Sequence, residues 1–232
     1  MNVWIAMATA ASAAYLLGSI PAGFLAGKLL QGIDIREHGS GSTGATNVLR
    51  TLGKGPALAV FLFDVGKGVA AILLARWLCQ WLLGGETGAV QGAANDPDQW
   101  ASWIIALAGL MVIVGHSRSL WLNFTGGKSI ATGLGMLLAI SWPVGLSGLA
   151  VFIIVLAIVR IVSLSSILAA LTVMIVATLL ALPLAYLILV YLGALYVIWR
   201  HKANVKRLLA GTEPRVGQKS SDQKNPGQKN PN

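Results

Sequence analysis

The chain has 232 residues, 56% hydrophobic and only 11% charged, with a mean hydropathy of +0.73, which excludes an ordinary soluble domain. Its formal charge of +9, from 17 Lys and Arg against 8 Asp and Glu, is spread between uninterrupted apolar runs of membrane-span length. The basic balance therefore points to membrane topology and anionic ligands rather than to nucleic acid. A single cysteine, Cys79, cannot make an internal disulfide, and no Cys/His cluster has zinc spacing, so neither a metal nor a cofactor is expected.

Residues 3–27 form 25 charge-free positions preceded by no Lys or Arg, which reads as a first helix rather than a cleaved signal peptide. Further apolar stretches cover residues 55–83 and 100–115, the latter opening with Trp100 and Trp103 as interfacial anchors. Residues 129–159 are 31 charge-free positions, roughly 46 Å as one helix at 1.5 Å per residue, too long for a ~30 Å hydrocarbon core. The segment from Ser141 through Pro143 to Gly145 divides it into two short spans. Residues 161–199, another 39, divide at Ala181, Leu182 and Pro183. The expected fold is an all-α integral membrane protein of seven transmembrane helices, one polytopic domain over residues 1–216. The polar tail 217–232, with its near-repeat Gln-Lys-Asn-Pro, is expected to be disordered.

Basic loops stay cytoplasmic. With an outside N-terminus and a cytoplasmic C-terminus, seven spans place 15 of the 17 basic residues inside; Lys67 and Arg76 lie within the second helix, and the outer loop 84–99 carries only Glu86, Asp96 and Asp98. A five-span arrangement would strand Arg160 outside.

Polar chemistry gathers on the inner side in four clusters. The first contains Gly39, Ser40, Gly41, Ser42, Thr43, Gly44, Thr46 and Asn47, followed by Arg50 and Lys54. Its Gly-x-Gly-x-x-Gly string has no preceding strand, so a dinucleotide fold is excluded. What remains is either an anion nest, in which glycines admit backbone N–H groups and hydroxyls add donors, or a tight re-entrant turn. The second cluster is Gly115 and His116, then Gly126, Gly127 and Lys128 leading into the fourth helix, where unpaired N–H groups favour a phosphate. It is not a Walker A loop, because position 122 is Leu. Lys128 also reads as a snorkelling anchor and His116 as an interfacial, hydrogen-bonded histidine. The third runs from Arg160 through Ser163, Ser165 and Ser166; the fourth runs from Arg200 to Arg207, with His201 and Asn204 on one helical face. Asp64 and Lys67, three apart within the second helix, read as a structural ion pair.

These segments resemble the bacterial PlsY family, the membrane-integral acyl-phosphate:glycerol-3-phosphate acyltransferases. The resemblance rests on residues 18–23, residues 39–47 with Arg50 and Gly53, and Asp64 with Gly66, Lys67 and Gly68. It continues through Gly115, His116, Phe124, Gly126, Gly127, Lys128, Ala131 and Thr132, then Arg160 with residues 163–166, and finally His201, Asn204, Arg207, Leu208 and residues 211–214. It implies a seven-helix enzyme of the bacterial inner membrane with a cytoplasmic-facing site. The reaction implied is transfer of a fatty acyl group from acyl phosphate to the sn-1 hydroxyl of glycerol 3-phosphate, giving lysophosphatidic acid and phosphate, without a cofactor or a required protein partner. On this resemblance the catalytic residues fall on Lys128, Ser40 and His201. Substrate binding falls on Arg50, Gly39, Gly41, Thr43, Asn47, Gly126, Gly127, Arg160, Ser165 and Asn204. Two departures stand out: the family usually has Asn at Ser42 and Pro at Ser119.

The residue types suit that chemistry. Acyl phosphate is a mixed anhydride with a good leaving group, so positioning a hydroxyl and compensating two phosphates suffices. The alternative is a transporter for a small phosphorylated anion, which should carry midplane polar groups and related halves. Transfer from a thioester is disfavoured, because none of His38, His116 and His201 has Asp five residues on.

Overall fold

A computed structural model describes residues 3–83 and 97–218. Among these residues there are ten α-helices: α1 (Val3–Ser19), α2 (Ala22–Gln31), α3 (Ala45–Thr51), α4 (Lys54–Leu83), α5 (Pro97–Ser117), α6 (Ile130–Ile140), α7 (Trp142–Val159), α8 (Val162–Leu179), α9 (Leu184–Arg200) and α10 (Lys202–Leu209). Short 3-10 turns at Ile35–Glu37 and Leu120–Leu122 lie in the two long polar loops.

Each of the seven apolar stretches forms helix. Five, with α1 and α2 taken as one, are long and apolar enough to cross a bilayer; α9 with α10, bent by 55°, makes a sixth. The exception is α6, whose 11 residues reach roughly 16 Å at 1.5 Å per residue, about half the hydrocarbon thickness. Seven full-length crossings are therefore not what the helices provide. Breaks fall at Ser141, which is extended (φ −150°, ψ 97°), and at Leu180–Pro183, where Ala181 adopts φ +47°. Two residues, Arg160 in the left-handed region (φ +59°) and the extended Ile161, separate α7 from α8.

The first helix departs from the sequence reading, because it is interrupted at Ile20 and Pro21 instead of running through to Gly27. Pro21 has no N–H and its ring obstructs a continuous helix. At this break the Ile20 carbonyl accepts the Ala22 N–H at 3.2 Å and a second hydrogen bond from the Lys67 ammonium at 3.0 Å. The expected Asp64–Lys67 pair forms at 2.8 Å, buried inside the bundle, and the break and the ion pair thus satisfy each other.

Apolar patterning is that of a protein solvated by lipid: Leu62, Phe63 and Leu73 of α4, Ile153, Ile154 and Ile158 of α7, and Ile175 and Leu179 of α8 are all exposed. Inside, small residues draw the helices together, since lipid tails offer no hydrophobic drive for helix association and close backbone contact must supply it. Ala6, Ala10, Ala14 and Gly18 recur every fourth residue along the buried face of α1. A side chain at Gly18 would overlap the Val112 carbonyl, and one at Gly115 the Tyr15 carbonyl. Trp4 meets Trp100 edge-on at the other end, so α1 and α5 run in the same direction and both finish at the polar-loop end. Between α4 and α6 the same device recurs, with Gly68 against the Thr132 carbonyl and Gly135 against the Val65 carbonyl.

Gly135→Ala is expected to destabilise the protein by about 1–3 kcal/mol through overpacking. Gly133→Ala, where an added methyl meets nothing within 4 Å, is expected to stabilise it by up to about 1 kcal/mol. Thermal unfolding of the purified protein in detergent checks both signs, at roughly 2–4 °C per kcal/mol for a chain of this size.

Candidate active site

The first polar loop is built around one side chain. Asn47 is fully buried at the start of α3; its amide nitrogen faces the carbonyls of Ile35, His38 and Ser42 at 2.9–3.0 Å, and its oxygen accepts the Ser40 N–H at 2.7 Å. Gly39 (φ +58°) and Gly41 (φ +68°) turn the chain, and a side chain at Gly39 would overlap the Asn47 amide. Both glycines thus serve the turn, which places Ser40 and Arg50 at the cavity wall. Thr43 is buried with its carbonyl against Gly23, away from that wall.

The second loop is fastened beneath and beside Lys128. The Gly127 N–H donates to the His116 carbonyl at 3.2 Å. Side chains at Gly126 and Gly127 would overlap the His116 carbonyl and the His116 imidazole respectively. Ser129 donates to the Ile113 carbonyl at 2.8 Å and lies 2.9 Å from the Ser117 hydroxyl. From α9, Arg200 donates to the Gly126 and Gly127 carbonyls at 3.2 and 2.9 Å. At Ser119, where the family usually has Pro, the hydroxyl donates to the Ser19 carbonyl at 2.6 Å and ties the loop to the end of α1. His116, read from sequence as interfacial, is instead buried with Nδ1 3.4 Å from the Asp64 carboxylate.

On α8 the structure selects among the serines. Ser163 and Ser166, three apart and on one helical face, are among the residues that line the cavity and Ser165 is not; all three are buried, and Ser165 and Ser166 each donate to the preceding turn, to the Ile161 and Val162 carbonyls at 2.8 Å. Arg160 is exposed and outside the cavity lining; its carbonyl accepts the Val216 N–H at 2.7 Å.

The C-terminal segment closes the arrangement. Lys128 donates to the Asn204 carbonyl oxygen at 2.7 Å, and the Asn204 amide nitrogen donates to Glu213 at 2.7 Å. Glu213 also accepts from Ser163 and from Arg207, each at 2.7 Å. Burial raises the Glu213 pKa, but these three hydrogen bonds outweigh it and hold the carboxyl below its ordinary value. Lys128 falls to about 8, chiefly through burial, with Glu213 opposing and Arg207, Arg50 and Arg200 adding to the fall. His201 falls to about 4, again chiefly through burial, and is neutral at pH 7. Its Nδ1 lies 2.8 Å from the Val197 carbonyl, which can only accept, so the proton sits on Nδ1 and Nε2 carries the lone pair.

Together these segments enclose a cavity of about 390 Å³ lined by Ser40, Asn47, Arg50, Lys128, His201 and Asn204 of the residues anticipated from sequence. Gly39, Gly41, Thr43, Gly126, Gly127, Arg160 and Ser165 stand outside the lining, the glycines as supports of the loops. Sequence reasoning missed Arg200, Asp64 and Glu213 as parts of the site; an acid at position 213 amid a run of cations was the available signal. An apolar cavity of about 440 Å³ between α6, α7, α8 and α9 adjoins the polar one, sharing Phe61, Ser129, Ile130, Phe152 and Ser166 with it.

The family model described as Glycerol-3-phosphate acyltransferase matches residues 8–211. A glycerol-3-phosphate acyltransferase of Acaryochloris marina is 56% identical over 90% of this chain and 91% of its own length. Glycerol-3-phosphate acyltransferase 2 of Rhizobium johnstonii is 59% identical over 94% of this chain and 99% of its own. The crystal structure of PlsY, an integral membrane glycerol 3-phosphate acyltransferase, in its glycerol 3-phosphate form superposes with a TM-score of 0.77 at 32% identity, over 91% of this chain and 96% of that one. A structure of the same enzyme in its lysophosphatidic acid form gives a TM-score of 0.74 at 31% identity. With agreement along nearly its whole length, this chain belongs to the PlsY family of glycerol-3-phosphate acyltransferases and is a membrane-embedded acyltransferase.

Proposed function

We propose that the chain transfers a fatty acyl group from acyl phosphate to the sn-1 hydroxyl of glycerol 3-phosphate, yielding lysophosphatidic acid and inorganic phosphate. The reaction belongs at the cytoplasmic face of a bacterial inner membrane that the chain crosses seven times, with α6 as a short crossing. The observation that carries this reading is the continuity of a cation-lined cavity with an apolar one, because such a pair fits a donor with a phosphate head and a hydrocarbon tail. The solved PlsY relative is described in forms with glycerol 3-phosphate and with lysophosphatidic acid, the acceptor and product of this reading. The clustering of the basic loops at one end, opposite Trp4, supports a single inward-facing site. Membership of an acyltransferase family sets the transporter alternative aside.

In the proposed reaction the acceptor hydroxyl oxygen bonds to the acyl carbon, the bond from that carbon to the phosphate oxygen breaks, and the departing phosphate carries the electron pair. A substrate phosphate oxygen takes the hydroxyl proton. Arg50, a planar guanidinium at the mouth, clamps the phosphate of glycerol 3-phosphate. Lys128 compensates the charge that builds on the leaving phosphate, as ammonium held close to the reacting atoms. Ser40 donates to a phosphate oxygen. Ser163, which donates to Glu213, and Ser166 are the α8 serines that border the cavity, with Ser165 between them in the same turn. Asn204 holds Lys128, and His201 turns the lone pair of its Nε2 toward the acceptor hydroxyl. Gly126 and Gly127 shape the loop that presents Lys128, while Arg160 and Val216 tie the C-terminal segment across the site.

Purified protein in detergent is expected to release phosphate from acyl phosphate only when glycerol 3-phosphate is present, and to ignore acyl-CoA and acylated carrier protein; release from a thioester instead would sink the donor assignment. Lys128→Ala should abolish transfer with the fold retained. Because Lys128 acts when protonated, kcat/KM of the wild type should fall as pH rises through about 8, and Lys128→Arg should remove that alkaline limb. His201→Ala is expected to raise KM for glycerol 3-phosphate more than it lowers kcat; steady-state kinetics showing a loss confined to kcat would instead make His201 the base.

A further inference from the structure

Beneath the loop that carries Lys128 lies a buried polar assembly to which the reaction above gives no part. Asp64 and Lys67 of α4 are 1% and 5% exposed, and His116 of α5 is 7% exposed. The Lys67 ammonium is held between the Asp64 carboxylate at 2.8 Å and the Ile20 carbonyl at 3.0 Å, and the same Asp64 oxygen faces His116 Nδ1 at 3.4 Å. Ionisable groups at membrane depth are costly and persist where they have work beyond packing. Asp64 and His116 border the polar cavity, which gives this assembly a place from which to act.

The other side of the His116 ring meets Gly127. No side chain fits between them, and the His116 carbonyl holds the Gly127 N–H. The residue after Gly127 is Lys128. The height of the imidazole therefore fixes the height of the Gly127 backbone, and with it the position of the Lys128 amine in the cavity. Ser129 is pinned independently to Ile113, so the loop rests on α5 at two points flanking Lys128. A shift of about 1 Å in such a group is enough to cost on the order of a hundredfold in rate.

We propose that Asp64, Lys67 and His116 are positioning residues for acyl transfer: the ion-paired carboxylate sets the His116 ring against Gly127, and that contact sets Lys128. This rests on the acyltransferase reading of Lys128 given above. The assembly makes no demand for a proton to move through it.

Two variants of the full-length protein test the idea. His116→Phe keeps a ring against Gly127 but removes the nitrogen that faces Asp64. The double variant Asp64→Asn with Lys67→Met removes both charges together, leaving neither unpaired in the membrane interior. In each, kcat is expected to fall about tenfold to a hundredfold while KM for glycerol 3-phosphate changes by less than about threefold. The alkaline limb of kcat/KM is expected to move up by about one pH unit or more as Lys128 shifts toward water. The groups that face Lys128 from the neighbouring elements, Arg50 of α3, Arg200 of α9, Arg207 of α10 and Glu213, are unaltered in both variants. Monodisperse elution and a sharp thermal transition identify folded protein. A folded variant with wild-type kcat overturns the proposal, and so does one with reduced kcat but an unmoved alkaline limb, since its defect would not pass through Lys128. The measurements use whichever acyl donor the wild type accepts, so a wrong donor assignment fails in the wild type and leaves the comparison between variants intact.

Discussion

The hydrogen-bonded chain from Lys128 through Asn204 to Glu213 is the interaction on which the rest of the site depends. An amide can present either its oxygen or its nitrogen, and only one orientation of Asn204 lets its oxygen meet an ammonium. Glu213, held as a carboxylate by Ser163, Asn204 and Arg207, accepts from the amide nitrogen and so decides that orientation. The same carboxylate offsets, at Lys128, the charges of Arg50, Arg200 and Arg207. Those cations repel one another and burial penalises the Lys128 ammonium, so positive charge is concentrated at this wall of the cavity. A surplus of cations of this kind favours anionic ligands.

The membrane imposes a second constraint, because every backbone group left without a helical partner must be satisfied inside the protein. At the interruption at Pro21 the Ile20 carbonyl accepts from Lys67, and at the left-handed turn the Arg160 carbonyl accepts from Val216. These two breaks are thus tied to residues distant in sequence, whereas those at Ser141 and Leu180–Pro183 are closed by local backbone hydrogen bonds. The glycine contacts between α1 and α5 and between α4 and α6 act at the same scale, bringing backbones close enough that loops from separate hairpins can share one cavity.

Six of the thirteen anticipated site residues line the polar cavity, and the placement of the others has a physical logic. Lys128 is legible because a cation directly after two glycines at a helix start suits an anion, whereas Asn47, three residues from the nearest glycine, mainly holds the turn that carries Ser40. Ser163, Ser165 and Ser166 sit in one short motif and are chemically identical, so which of them borders the cavity is decided by the rotation of α8 about its axis. His116 was read as interfacial because it follows a glycine at the end of an apolar run, yet the Asp64 carboxylate on another helix draws it into the interior. Glu213 carried a motif match but no assignable task, since its partners Ser163 and Lys128 lie 50 and 85 residues earlier.

That the chain is all-helical and apolar enough to lie in a membrane was written locally, as the length of apolar runs and the place of prolines. Hydrophobic transfer acts on each segment separately, which is why these features could be read without knowing any neighbour. Which hydroxyl, which amide oxygen and which ring nitrogen faces the substrates was settled only when the helices packed. Such orientations depend on contacts between segments whose separation along the chain leaves no trace in the pattern of either one.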